Sequence, residues 1–184
     1  MTAPGTSRES TPVDVIADDH LAACARRDPL FATEVGISGY DHLLTDFSPD
    51  ATDERAETAR ETLRRLAEAP VTDHIDRVTV ATMSDSLRRE VALADAGERV
   101  GECNVIASPL QAVRDIFDLM PTGTSTEREA FVERLAGIDG CVGSMIAGLR
   151  HRVAHGPAPA RRQVTLVIEQ AAHAADAIAT NTTA

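Results

Sequence analysis

Residues 72–97, TDHIDRVTVATMSDSLRREVALADAG, decide the fold class. Ile75, Val78, Met83, Leu87, Val91 and Ala94 recur at helical spacing, and no run here alternates with the period of two that a half-buried strand requires. Thr72-Asp73 supplies a capping start and Gly97 a stop, so the stretch predicts one long helix to about Ala96.

The same punctuation continues outward in both directions. Upstream, Ser48-Pro49-Asp50 opens a helix to about Ala69, with Ala56, Ala59, Leu63 and Leu66 on one face and Glu57, Glu61, Arg64 and Arg65 on a solvated one. Thr11-Pro12-Val13-Asp14 starts a first helix that carries Val13, Ile16, His20, Leu21 and Cys24 inward and stops by Arg27. Asp28-Pro29 repeats the device for a short helix through Leu30, Phe31 and Val35, with Gly36 as a left-handed end.

Downstream, residues 98–107 lack periodicity and read as a crossing loop, after which Ser108-Pro109 begins a helix with Val113, Ile116 and Phe117 inward. Pro121-Thr122-Gly123 breaks it. Thr126 with Glu129 matches a capping box for a helix to about Ala154. Glycines 137, 140, 143 and 148 weaken that helix by about 1 kcal/mol each relative to alanine, which points to tight packing against a neighbour or to a break near Gly140. Residues 156–159 turn into a last helix from about Ala160 to Ala179. The expected fold is all-α, an antiparallel bundle of six or seven helices without a sheet. One domain spans 11–179, with a flexible N-terminus at 1–10 and a frayed end at 180–184.

Composition narrows the partners. The chain has 184 residues and a net charge of −11, and all 18 basic residues are arginine. Without a basic run, phosphate backbones and anionic membranes are repelled. Only 3% of residues are aromatic and there is no Trp, so the core is built from Ala, Leu, Val and Ile at close helix approach. Cys24, Cys103 and Cys141 have neither disulfide nor zinc-site spacing and read as small buried hydrophobes. No apolar run reaches membrane-spanning length and no signal-peptide core is present, so a cytoplasmic location is expected.

The chemical constellations are sparse. His151 and His155 stand at i and i+4, as in a zincin helix, but the position of the catalytic Glu holds Arg152, a permanent cation that repels a metal. Ser144 lacks the glycine frame of a nucleophile elbow, and Gly36-Ile37-Ser38-Gly39 is a turn rather than a dinucleotide loop. Arg161-Arg162 is more informative, because cations at a helix start oppose its dipole and call for a carboxylate elsewhere.

Five segments taken in order carry a family resemblance: residues 28–66 from DPLFATEVGISGYDHLLTDFSPD onward, HIDRVTVATMSDSLRREVAL, SPLQAV, MPTGTSTEREAFVERLAGID and LRHRVAHGPAPARRQV. This set resembles the N-terminal part of the bacterial domain-of-unknown-function family numbered eight hundred eighty-five, whose members are similar to zinc metallopeptidases, over about residues 20–175. The resemblance implies helices that pack beside a catalytic half bearing H-E-x-x-H. That motif does not occur in these 184 residues, so no cofactor is expected in this chain and zinc belongs to the other half.

Three roles compete on this reading. The first is a non-catalytic N-terminal lobe, inactive alone, whose partner is a C-terminal catalytic half or a second copy docked through an exposed apolar face. The second is a stand-alone helical interaction or ligand-binding module, and the third a small enzyme with no recognisable site. Tyr40, Asp41 and Arg161 are the candidate substrate-facing residues. A structural role for Tyr40 needs one hydrogen-bond partner, which Asp41 or a backbone carbonyl would provide.

Overall fold

The structure, a computed structural model, describes residues 8–182, with backbone alone for 177–182. Eight helices and no strand lie among the described residues: α1 (Pro12–Arg27), α2 (Pro29–Glu34), α3 (Pro49–Glu68), α4 (His74–Asp95), α5 (Pro109–Leu119), α6 (Ser125–Ala136), α7 (Ile138–His155) and α8 (Arg161–Thr182). The chain is an all-α bundle, as its spacing predicts. The expected flexible segment 1–10 and frayed segment 180–184 fall partly on residues 1–7 and 183–184, outside the described residues, while α8 runs on to Thr182.

Local chemistry explains the helix starts. Thr11, Asp28, Ser48 and Asp73 each accept the backbone N–H three residues on, which satisfies a donor that the first turn leaves unpaired. Proline follows three of these caps, at positions 12, 29 and 49, where its missing N–H costs nothing. At the end of α2, Gly36 takes φ +77. Its N–H bonds Thr33 O and that of Ile37 bonds Ala32 O, the paired closure that left-handed glycine allows.

Two apolar clusters form the core. Val13, Ile16, Ala59, Leu66 and Leu87 join α1, α3 and α4 in a three-helix unit, with Leu63, Met83 and Val91 packed around them. Leu30, Val113, Ile116 and Cys141 join α2, α5 and α7, with Leu44, Phe47 and Met145 beside them. The connection 36–48 belongs to the second cluster. Thr45 is buried, its hydroxyl donates to Asp28 Oδ1 at 2.5 Å, and its carbonyl accepts from Cys141 Sγ at 3.3 Å.

The first unit is tied at its base by a buried carboxylate. Asp76 is fully enclosed and accepts from Thr11 Oγ1, Thr72 N, Thr72 Oγ1 and Arg8. Burial alone raises a carboxyl pKa, but these donors outweigh it and lower Asp76 from 3.8 to about 2. Because the folded value is depressed, the stabilisation is complete above the unfolded value and is lost as pH falls toward 2. Unfolding midpoints should therefore drop between about pH 4 and pH 2. In Asp76→Asn, less stable throughout, that acid slope should flatten; an unchanged slope would refute the assignment.

The C-terminal half departs from expectation in one place. The helix expected from Thr126 to Ala154 is two helices, divided at Gly137 rather than near Gly140, and the capping box is Thr124 with Glu127 rather than Thr126 with Glu129. Glu127 Oε2 accepts Thr124 N–H at 2.7 Å, and Thr124 Oγ1 accepts Glu127 N–H at 3.2 Å. Both Thr/Glu pairs have the same spacing, so only the emergence of the chain from its turn selects the earlier one. The division follows from two anchors, Arg134 holding α6 to residues 40–43 and Cys141 holding α7 to Thr45.

Tight packing is found at Gly148 instead, where a Cβ would stand 2.8 Å from Phe47 O. Around Gly143 a Cβ would meet nothing within 4 Å. Gly143→Ala should therefore stabilise the isolated chain by about 0.5–1 kcal/mol in urea unfolding; a loss of stability would show that this face is already covered.

Candidate functional site

The two core units leave a cleft between them. Its main chamber, about 560 Å³, lies among α3, α4, α5 and the loop 98–107, and its polar wall is formed by Arg55, Glu90, Arg99, Glu102, Gln111 and Asp115. Arg55 is half-buried and donates to Asp46 O at 2.8 Å and Thr52 Oγ1 at 3.2 Å. Burial lowers its pKa, while Asp28, Asp46 and Glu90 favour its charge. Arg99 bridges Glu90 at 2.6 Å and Glu102 at 3.4 Å. Both signs of charge thus line one wall, an arrangement suited to a zwitterionic or mixed polar ligand.

The cleft floor is held by amide and hydroxyl groups. Ser108 N–H and its hydroxyl both donate to Gln111 Oε1, at 3.0 and 2.6 Å. Gln111 Nε2 then donates to Gln170 Oε1 at 2.5 Å, the link from α5 to α8. Ile106 projects from the loop above, 84% exposed.

The sequence-derived candidates fall elsewhere. Tyr40 and Asp41 are half-buried beside α6, where the side chain of Arg134 is completely enclosed. Arg134 Nε donates to Leu43 O at 2.8 Å, and its Nη2 donates to Tyr40 O at 3.0 Å, Thr33 Oγ1 at 2.9 Å and Pro29 O at 3.4 Å. Asp41 accepts from Thr33 Oγ1 at 2.8 Å rather than serving the Tyr40 hydroxyl. Burial lowers the pKa of Arg134, and the negative charge of Asp41 counters it. Arg161 is exposed at the start of α8, and among the described residues no hydrogen bond or ion pair joins it to Tyr40 or Asp41.

Arg134 is the organising residue that the sequence reading passes over. Its signal was its register, three residues after Phe131, whose ring meets Phe117 edge-on at 5.2 Å. An arginine at an inward position of a helix calls for a set of carbonyls to receive it.

The His151 and His155 rings stack 4.3 Å apart, and His155 Nδ1 lies 2.9 Å from His151 O. Arg152 between them is bound to Glu98, Val100 O and Pro157 O. Among the described residues no group of three His, Cys, Asp or Glu side chains could hold a metal ion.

The profile of the family described as bacterial protein of unknown function (DUF885) matches residues 29–184. The chain belongs to this family. The DUF885 match opens at Pro29, the first residue of α2, and takes in every wall of the main chamber except Asp28. Helix α1, which supplies Val13 and Ile16 to the first core, lies outside the matched range. No curated protein matches the chain. Among the described residues no helix is long and apolar enough to cross a membrane.

Proposed function

We propose that this chain is a non-catalytic N-terminal helical lobe of a zinc-metallopeptidase-like protein, shaped to pack against a catalytic half that holds the metal. The surface carries this reading. Large apolar residues stand without cover, among them Val132 on α6, Ile146 and Val153 on α7 and Ile168 on α8. No residue of α8 whose side chain is described is buried, although Val164, Leu166, Val167 and Ile168 follow one another closely along it. Apolar area of this kind in a folded chain marks a place where another element packs.

On this reading Tyr40, Asp41 and Arg161 face the substrate of the assembled protein. The test is to read the coding sequence beyond codon 184 for H-E-x-x-H and to coexpress the polypeptide that it encodes. Copurification at one to one, with slowed amide exchange in α8, is the expected result. Elemental analysis of the chain alone should show no stoichiometric zinc; one tight equimolar zinc would refute the assignment of the metal to the other half.

A stand-alone ligand-binding module is the second reading, favoured by the mixed-charge chamber. It requires a monomer that saturates with a small ligand and never captures a catalytic half.

A further inference from the structure

Beside the main chamber, and sharing Asp28, Arg55 and Glu90 with it, lies a second one of about 370 Å³ that reaches α1. Its walls include Cys24 and His20, one turn apart. Cys24 Sγ lies 3.3 Å from His20 Nε2, and His20 Nδ1 lies 3.0 Å from Thr62 Oγ1. Thr62 decides the tautomer. Its hydroxyl hydrogen is given to Thr58 O at 2.8 Å, which leaves its oxygen to accept from His20 Nδ1–H. Nε2 then carries the lone pair, and the thiol of Cys24 donates to it.

We propose that Cys24, with His20 as its base and Thr62 as the residue that positions His20, is a thiol-exchange site for a small zwitterionic disulfide of the amino-acid class. The chamber fits such a ligand on two counts. Arg27, Arg55, Asp28 and Glu90 all stand on its walls, two charges of each sign for a carboxylate and an ammonium. Among the described residues the ion pair of Arg27 is a long one, 3.9 Å to Glu54, and its side chain is about one-third exposed, so the outer edge of its guanidinium can take a ligand carboxylate.

In the step, Cys24 Sγ attacks the near sulfur of the disulfide while its proton passes to His20 Nε2. The new Sγ–S bond forms as the old S–S bond breaks. The departing thiolate takes the proton from His20 and leaves as a free thiol, so Cys24 is oxidised and one sulfur of the ligand is reduced. Burial, reinforced by Asp28, raises the pKa of the Cys24 thiol, and burial lowers that of His20. The resting pair is therefore neutral, and the thiolate appears only as the proton moves.

The other thiols provide internal controls. Cys141 is buried against Thr45 O, and Cys103 is half-buried near Arg152, where among the described residues no hydrogen bond joins it to a base. The proposal is independent of the lobe reading, because both residues of the exchanging pair lie on α1, outside the matched family range.

The experiment incubates the full chain with cystine, and in parallel with cystamine and dithiodiglycolate, and follows each cysteine by peptide mass mapping. Cystine should modify Cys24 first, and His20→Gln should slow that adduct on the order of a hundredfold, the contribution of a positioned general base. Thr62→Val should slow it as well, and Thr62→Ser, which keeps the accepting oxygen, should restore it. Circular dichroism checks that each variant folds. In urea the three cysteines of the wild-type chain should react alike, which supplies the reference rate if a variant unfolds. Equal rates at Cys24 and Cys103 in the folded chain, no slowing in a folded His20→Gln, or cystamine outpacing cystine would overturn the proposal.

Discussion

Arg134→Ala is expected to destabilise the chain by about 4 kcal/mol, the scale of breaking a buried charged network. The guanidinium replaces water for three carbonyls, those of Pro29, Tyr40 and Leu43, and for the Thr33 hydroxyl. Removing it strips Leu43 O of its donor, while Pro29 O keeps the Thr33 hydroxyl and Tyr40 O keeps Leu43 N–H, and a buried acceptor left without a donor costs about 1–3 kcal/mol before any rehydration. Arg134→Met separates volume from hydrogen bonding. If packing alone mattered, the methionine chain would hold the stability; if the carbonyls matter, it should lose nearly as much as alanine. Arg134→Lys should also fail, since one ammonium cannot span acceptors that two nitrogens of a planar fork now serve. Urea unfolding checks the series, and a loss below about 1 kcal/mol for both alanine and methionine, the size of a single net hydrogen bond, would sink the account.

The connection 36–48 lies within the first of the five segments that carry the family resemblance, and its role now has a physical cause. Gly36 ends α2 by a left-handed closure, Thr45 ties it to Asp28, and Arg134 clasps the carbonyls between. The first and third of these differ in how they could be read. A glycine after an apolar helix end is a local signal, complete within five residues. The Arg134 clasp spans 91 residues to Leu43, and nothing within α6 states which carbonyls will arrive.

The same divide governs the rest of the fold. The starts at Thr11, Asp28, Ser48, Asp73 and Ser108 were legible because a capping residue and its hydrogen-bond partner lie three residues apart. The start of α6 was not, because two Thr/Glu pairs offered the same spacing, nor was its boundary with α7, which depends on where Arg134 and Cys141 are held. The main chamber was invisible for a stronger reason. Arg55, Glu90 and Asp115 come from three helices, and only the packing of α3 and α4 beside α5 brings them to one wall. His20 and Cys24 were recognised as inward positions of α1, which is correct, but a helical period does not distinguish a core contact from a chamber wall.

Gly101 and Gly148 carry the second large effect, and they should act as one unit. The loop 98–107 crosses α7 at this pair: a Cβ on Gly101 would lie 2.6 Å from Gly148 O, and one on Gly148 would lie 2.8 Å from Phe47 O and 3.3 Å from Gly101 N. Every one of these obstacles is backbone, so no side chain can swing aside. Gly101 also takes φ +62, a conformation that costs an L-residue about 1–2 kcal/mol. Together with overpacking, Gly101→Ala should cost about 3 kcal/mol, and Gly148→Ala about 2 kcal/mol from overpacking alone. The double variant should cost less than their sum, because a loop already lifted from α7 no longer meets the second methyl. Hydrogen exchange should quicken along 98–107 in both single variants, since that loop carries Arg99, Glu102 and Ile106 into the cleft wall. Additive losses, or exchange that quickens in α7 alone, would show that the crossing does not hold the loop and that the cleft has another support.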